Sequence, residues 1–228
     1  MKRPPLAQGK ERAQPVRIEP RWPVALTILA VLFLLALLPG RTRLFPYWLG
    51  YAIGLALLLP IAGVWLSGAR TWWLRLERIT TLCCSLIVEI MTLATVLYLV
   101  REMVNRPMAL SGRQLLTSSI GAWVANVLAF SLVYWQIDRG GPEARVNKAD
   151  LKPDWLFPQS AASEEAPPDW RPTFVDYLFL SFSTATAFSP TDTLPLTSRA
   201  KMLMMIESAV SLTTLVIVAS RAINILGT

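Results

Sequence analysis

Phe174-Val-Asp-Tyr-Leu-Phe-Leu-Ser-Phe-Ser-Thr-Ala-Thr-Ala-Phe-Ser-Pro-Thr-Asp192 is followed by an apolar run over residues 200–226. Together they predict a short helix, a polar elbow and a full membrane span. Thr173, behind Pro172, supplies a hydroxyl cap, and Asp176 places an acid in the first turn, where the helix dipole favours it. The helix has to stop before Pro190, because proline disfavours helical geometry in the residue ahead of it. About 15 residues at 1.5 Å each reach about 22 Å, short of the roughly 30 Å hydrocarbon layer. The expectation is therefore a re-entrant helix that dips into the bilayer and returns. Non-helical backbone at that depth is tolerated only where it is buried in protein or lines a wet cavity. Thr184, Thr186, Ser189, Thr191 and Asp192 are the pore-loop candidates that would line such a lip.

The rest of the chain agrees with a membrane setting. Of its 228 residues, 54% are apolar and 16% charged, an excess of apolar surface over what a soluble core of this size needs. Four further windows, 23–39, 47–66, 81–100 and 115–135, come near or reach the roughly 20 apolar residues a spanning helix requires. The predicted fold is all-α and polytopic, with about five transmembrane helices plus the short re-entrant, pore-helix-like segment; six full spans is the alternative. The chain divides into a basic tail (1–21), a four-helix transmembrane region (22–135), a Pro-rich polar loop (136–172) and the re-entrant helix, elbow and last span (173–228).

The tail carries six Lys/Arg against Glu11 and Glu19. It looks like the front of a secretory signal, but the first apolar run ends Leu37-Leu38-Pro39-Gly40-Arg41 without the small residues that cleavage needs, so it reads as an uncleaved anchor. Pro4, Pro5, Gly9, Pro15 and Pro20 make the tail a flexible arm suited to anionic lipid headgroups and not to nucleic acid. Counting Lys and Arg on the two sides of the predicted spans places the N-terminus in the cytoplasm. In the 136–172 loop, Trp155, Phe157 and Trp170 point to partial order at headgroup level, a solvated linker being the alternative.

Gly50 and Gly54 form one small-residue face, and Ser118, Ala122, Ala125 and Ala129 another; both predict helix contacts, with homo-oligomer formation the lesser option. Three polar residues fall at membrane depth: Glu89, Asn126 and Glu207. A carboxylate there costs on the order of 2.5 kcal/mol or more unless paired, hydrated or protonated. Two readings stand: Glu89, neutral and bonded to Asn126 or to a hydroxyl such as Thr92 or Thr95, is structural glue, or these groups serve a proton or cation relay.

Catalytic chemistry is sparse. The chain has no histidine, which removes the usual general base and zinc ligand. Cys83 and Cys84 are adjacent and point to different faces of one helix. Ser198 and Lys201 match a Ser-x-x-Lys spacing that recurs by chance. We expect no enzyme, metal or cofactor.

Thr186-Ala-Phe-Ser-Pro-Thr-Asp192, trailed by Leu194-Pro-Leu-Thr197, resembles the pore module of two-span, potassium-channel-like cation channels, whose pore helix ends in Thr-Thr-Val-Gly-Tyr-Gly-Asp before a second span. The glycines that aim filter carbonyls inward are missing here, so the resemblance implies a hydroxyl-lined conduit without potassium selectivity, or no pore. The elbow is also approached from the cytoplasm, the reverse of the channel module. Tyr134-Trp-Gln-Ile-Asp138-Arg-Gly-Gly-Pro142, Phe157-Pro-Gln159, Asp176-Tyr177, Thr186 to Asp192, Lys201 and Arg221-Ala-Ile-Asn224 are similar to a group of uncharacterised bacterial multi-pass membrane proteins. That likeness implies a bacterial inner-membrane protein, carries no reaction, and permits an amide at position 207. The functional expectation is a channel-like or transport conduit, with a membrane scaffold as the alternative.

Overall fold

The computed structural model describes residues 19–37, 44–68, 70–105, 110–147, 151–161, 167, 170–187 and 192–226. They form eight helices: α1 (Trp22–Leu37), α2 (Tyr47–Ser67), α3 (Thr71–Asn105), α4 (Gly112–Ile137), α5 (Pro142–Asn147), α6 (Pro158–Ala161), α7 (Phe174–Ala187) and α8 (Ser198–Leu226). The departures from helix are a single 3₁₀ turn, Asp138–Gly140, and a two-residue ladder in which β1 (Trp155–Leu156) pairs antiparallel with β2 (Leu194–Pro195). Four helices, α2, α3, α4 and α8, are long and apolar enough to cross a membrane. Among the described residues the first predicted span is the 16-residue α1, which is apolar but shorter than α2, α3 and α4.

Local chemistry sets the helix ends. Ser111 and Gln114 close a reciprocal capping box at the start of α4, satisfying two backbone donors that would otherwise be orphaned. Gly68 ends α2 in the left-handed conformation at φ 64° and returns its N–H to the Val64 carbonyl. After α4 the chain reverses through three consecutive positive φ values, Arg139 at 50°, Gly140 at 78° and Gly141 at 100°. A side chain at Gly141 would also press its Cβ to 3.1 Å from the Gln136 carbonyl oxygen, so glycine is required there on both counts. At α7, Asp176 Oδ2 accepts from both the N–H (2.7 Å) and the hydroxyl of Thr173; the acid caps the helix and the threonine donates to it.

Helix α4 is the hub, packing against α1, α3, α7 and α8, while α2 lies against α1 and α3. The main core joins Ile28, Leu57, Phe130, Trp135, Trp155 and Tyr177. A second cluster, Val96, Leu99, Leu115, Ala122, Val210 and Ile217, fills the junction of α3, α4 and α8 near the far end of α3.

One end of the bundle is held by buried charge. Arg21 pairs with Glu77 at 3.0 Å, and Arg145 with Glu19 at 2.9 Å. Arg78 donates to the Gly140 carbonyl, and Asp154 N to Asp138 Oδ1. One expectation is corrected here. Glu19 and Arg21, assigned to the flexible arm, are buried, because each meets an opposite charge that a chain so far from the arm's own sequence supplies. Trp155 and Phe157, expected to bring partial order to their loop, sit in the core, since the β1–β2 ladder and the Asp138–Asp154 bond draw their segment against α4 and α7.

Candidate functional site

The polar groups of the long apolar helices converge where α3, α4, α7 and α8 meet. Glu207 of α8 is fully buried. Its Oε2 accepts from the Tyr134 hydroxyl of α4 at 2.5 Å, and its Oε1 is bonded to the Ser181 hydroxyl of α7. Ser181 also lies 2.8 Å from the Val127 carbonyl. A hydroxyl carries one proton and two acceptor lone pairs, so the site accommodates either form of Glu207. A carboxylate accepts from Ser181; a carboxylic acid donates to Ser181, which then donates to Val127. Asn126 fixes α4 to α8, donating to Ser211 Oγ at 2.9 Å and to the Glu207 carbonyl at 3.2 Å.

Glu89 of α3 differs from Glu207. Both its carboxylate oxygens are closed off from the surface and meet no hydrogen-bond partner among the described residues. Of the groups that would make it glue, Asn126 gives its amide N–H to α8 and Thr95 its hydroxyl to the Met91 carbonyl. Glu89 lies within electrostatic reach of Glu207 and of Tyr134. Three more buried polar atoms in this region have no partner among the described residues: Ser85 Oγ one turn before Glu89, Ser119 Oγ, and Asn126 Oδ1. Buried polar atoms without partners are a small minority in folded proteins, and each calls for a physical cause.

This polar seam is flanked by apolar and aromatic groups. Toward the far end of α3 it meets the apolar cluster of Val96, Leu99, Leu115, Ala122, Val210 and Ile217. Toward the other end lie Tyr134 and Trp155, whose rings are 4.7 Å apart, and beyond them the ionic lattice. There Glu19 Oε1 accepts from Trp135 Nε1 and from the Phe174 N–H. Arg145 stands 4.8 Å over the Tyr177 ring, and Tyr177 donates to Asp138 Oδ2 at 2.5 Å.

The pore-loop candidates do not gather into a described site. Thr184 is buried and donates to the Leu180 carbonyl; Thr186 is exposed and donates to Phe182. Asp192 is exposed, and Ser189 and Thr191 lie outside the described residues. The α7 hydroxyl that does reach the seam is Ser181, which sequence reading passes over, as it does Tyr134 and Ser211 in this role. A tyrosine near the end of an apolar helix is a signal in retrospect, since a buried phenol needs a partner, but nothing local names Glu207 as that partner.

No protein-family model, no curated protein and no solved structure matches this chain.

Proposed function

We propose that this chain is a multi-pass membrane protein of the bacterial inner membrane that carries a proton through its helical bundle, with Glu89 as the group that takes up and releases it. The observation that carries the reading is the Glu89 carboxylate, closed off from the surface in the middle of an apolar helix with neither oxygen hydrogen-bonded among the described residues. A carboxylate in that position is a costly arrangement that pure packing does not call for. Glu207, Tyr134 and Ser181 form a hydrogen-bonded group beside it that holds α4, α7 and α8 around the seam. The apolar cluster and the aromatic layer flank the seam, which favours a transporter-like occluded state over an open channel.

In the bilayer we read α1, α2, α3, α4 and α8 as five spans and α7 as the re-entrant helix, with the N-terminus cytoplasmic by the Lys/Arg count. Support for the re-entrant reading comes from the attachments on either side of α7. Phe174 N bonds Glu19, while Leu194 and Pro195 pair with β1 and Arg199 with Asp154. These contacts all belong to the end of the bundle where α4 finishes. With five spans, a reporter fused to the C-terminus should report the face opposite the N-terminus; the six-span alternative predicts the same face.

The test is proton flux in proteoliposomes that hold a pH-sensitive dye. The wild-type chain should dissipate an imposed pH gradient, Glu89→Gln should not, and Glu207→Gln should retain most of the flux because an amide preserves bonding to Tyr134 and Ser181. Wild-type vesicles no leakier than empty ones would remove this reading. They would leave the scaffold alternative, which the complete bonding of Glu207 favours.

A further inference from the structure

Between α1, α2, α3 and α4 lies a cavity of about 190 Å³ that takes no part in the seam. Its walls are mostly aliphatic or small, among them Ile28, Leu32, Ile53, Met91 and Ala125; Thr92, Thr95 and Ser118 add hydroxyls, and no charged residue lines it. The two small-residue faces create the space. A Cβ at Gly54 would strike Leu32 Cδ1 at 2.4 Å, so α1 and α2 are in contact there. A Cβ at Gly50, one turn away, would meet nothing within 4 Å, and Ser118, Ala122 and Ala125 face the same opening. Small side chains that let helices touch at one level leave a gap at the next.

The shape of the gap identifies an occupant. Its floor is made by the buried Ile28 and Leu57, and its mouth by Leu44 and Tyr47, which are exposed. From Tyr47 to Leu57 the slot follows α2 for about 15 Å at 1.5 Å per residue. It is long, narrow and parallel to the helices. Tyr47, Trp48 and Tyr51 are all exposed at the mouth end, and aromatics of that kind settle at the bilayer interface. The opening then lies at headgroup depth, with the slot running in the direction a lipid tail runs. Apolar cavities of about 150 Å³ stay free of water and admit apolar molecules, and hydrocarbon chain is the most abundant apolar species beside a membrane-embedded helix.

We infer that this cavity binds one acyl chain of a bilayer phospholipid, entered between Leu44 and Tyr47 with the headgroup left outside. The inference rests on the reading of the chain as membrane-embedded and is independent of proton transport.

The experiment uses the full chain in lipid nanodiscs doped with a phosphatidylcholine that carries a photoactivatable diazirine on its acyl chain, followed by peptide mapping of the adducts. Expected are adducts inside the slot, at Met91 and Ala125, together with adducts at the outward-facing Leu93 and Leu97 that any surrounding lipid gives. Gly50→Leu, which projects into the open part of the slot, should abolish the Met91 and Ala125 adducts and leave those at Leu93 and Leu97. Ala125→Leu fills the slot from the opposite wall, and its Met91 adduct should be lost in the same way. Adducts at Leu93 and Leu97 without any at Met91 or Ala125 overturn the acyl-chain site alone, as do slot adducts that persist in both filled variants. Absence of adducts at all four positions overturns the membrane reading as well.

Discussion

The Tyr134 hydroxyl donates to Glu207 Oε2 at 2.5 Å, joining α4 to α8 across 73 residues of sequence. Neither group is reachable by solvent, so the bond is made between two side chains that would each be costly to bury alone. It also sets the position of Glu207 beside Ser181 and within reach of the charge on Glu89.

Tyr134→Phe keeps the ring stacked near Trp155 but leaves Glu207 Oε2 without its donor. A buried acceptor left unsatisfied costs about 1–3 kcal/mol. The expected outcome is a lower thermal midpoint in detergent, read by tryptophan fluorescence; an unchanged midpoint would mean that the bond carries no stability.

Glu89→Met separates stability from function at the same position. Removal of a buried polar group that has no partner releases its desolvation cost, about 1–3 kcal/mol, and methionine fits an irregular gap. The thermal midpoint should rise while proton flux disappears. A fall in the midpoint would show that the carboxylate is bonded in the native protein.

Glu19→Ala removes the acceptor shared by Trp135 Nε1, the Phe174 N–H and Arg145. Arg145 is then a buried guanidinium without its carboxylate, a loss of about 3–5 kcal/mol. Because Arg145 also donates to the Trp135 and Asp138 carbonyls, the release should spread to the segment that follows α4. Limited proteolysis should show faster cleavage within residues 142–172 than in wild type.

Arg199→Ala should do far less, although its contact with Asp154 is shorter. The Arg199 side chain is 61% exposed, against 4% for Glu19, and the buried Asp154 carboxylate it leaves behind keeps the Thr197 hydroxyl as a donor, so the loss should be smaller than that of a buried guanidinium stripped of its carboxylate. Equal losses for the Glu19 and Arg199 variants, measured by chemical unfolding, would contradict this ranking by burial.

Much of the helical layout is legible in the residues. The windows at 47–66, 81–100 and 115–135 fall within α2, α3 and α4, and the short helix expected from residue 174 onward is α7. Cys83 is exposed and its neighbour Cys84 buried, as adjacent helical positions require. The candidate site was legible only as three isolated positions. Glu89, Asn126 and Glu207 stand out because charged and amide groups are rare in apolar runs, but the elbow hydroxyls stand out for the same reason. Thr184 and Thr186 instead donate to carbonyls four residues earlier in their own helix, a bond available to any helical threonine.

What the sequence determined by itself is therefore the set of helices and the identity of the polar groups placed among apolar ones, because both follow from periodicity, capping and hydropathy over a few turns. What only the tertiary structure decided is which of those groups are paired. Glu207 finds Tyr134 and Ser181, Glu19 finds Arg145, and Glu89 finds no hydrogen-bond partner among the described residues. The physical reason is range. A hydrogen bond acts over about 3 Å, while its partners here come from segments tens of residues apart, so which groups meet is fixed by the packing of α3, α4, α7 and α8 and not by any local pattern along the chain.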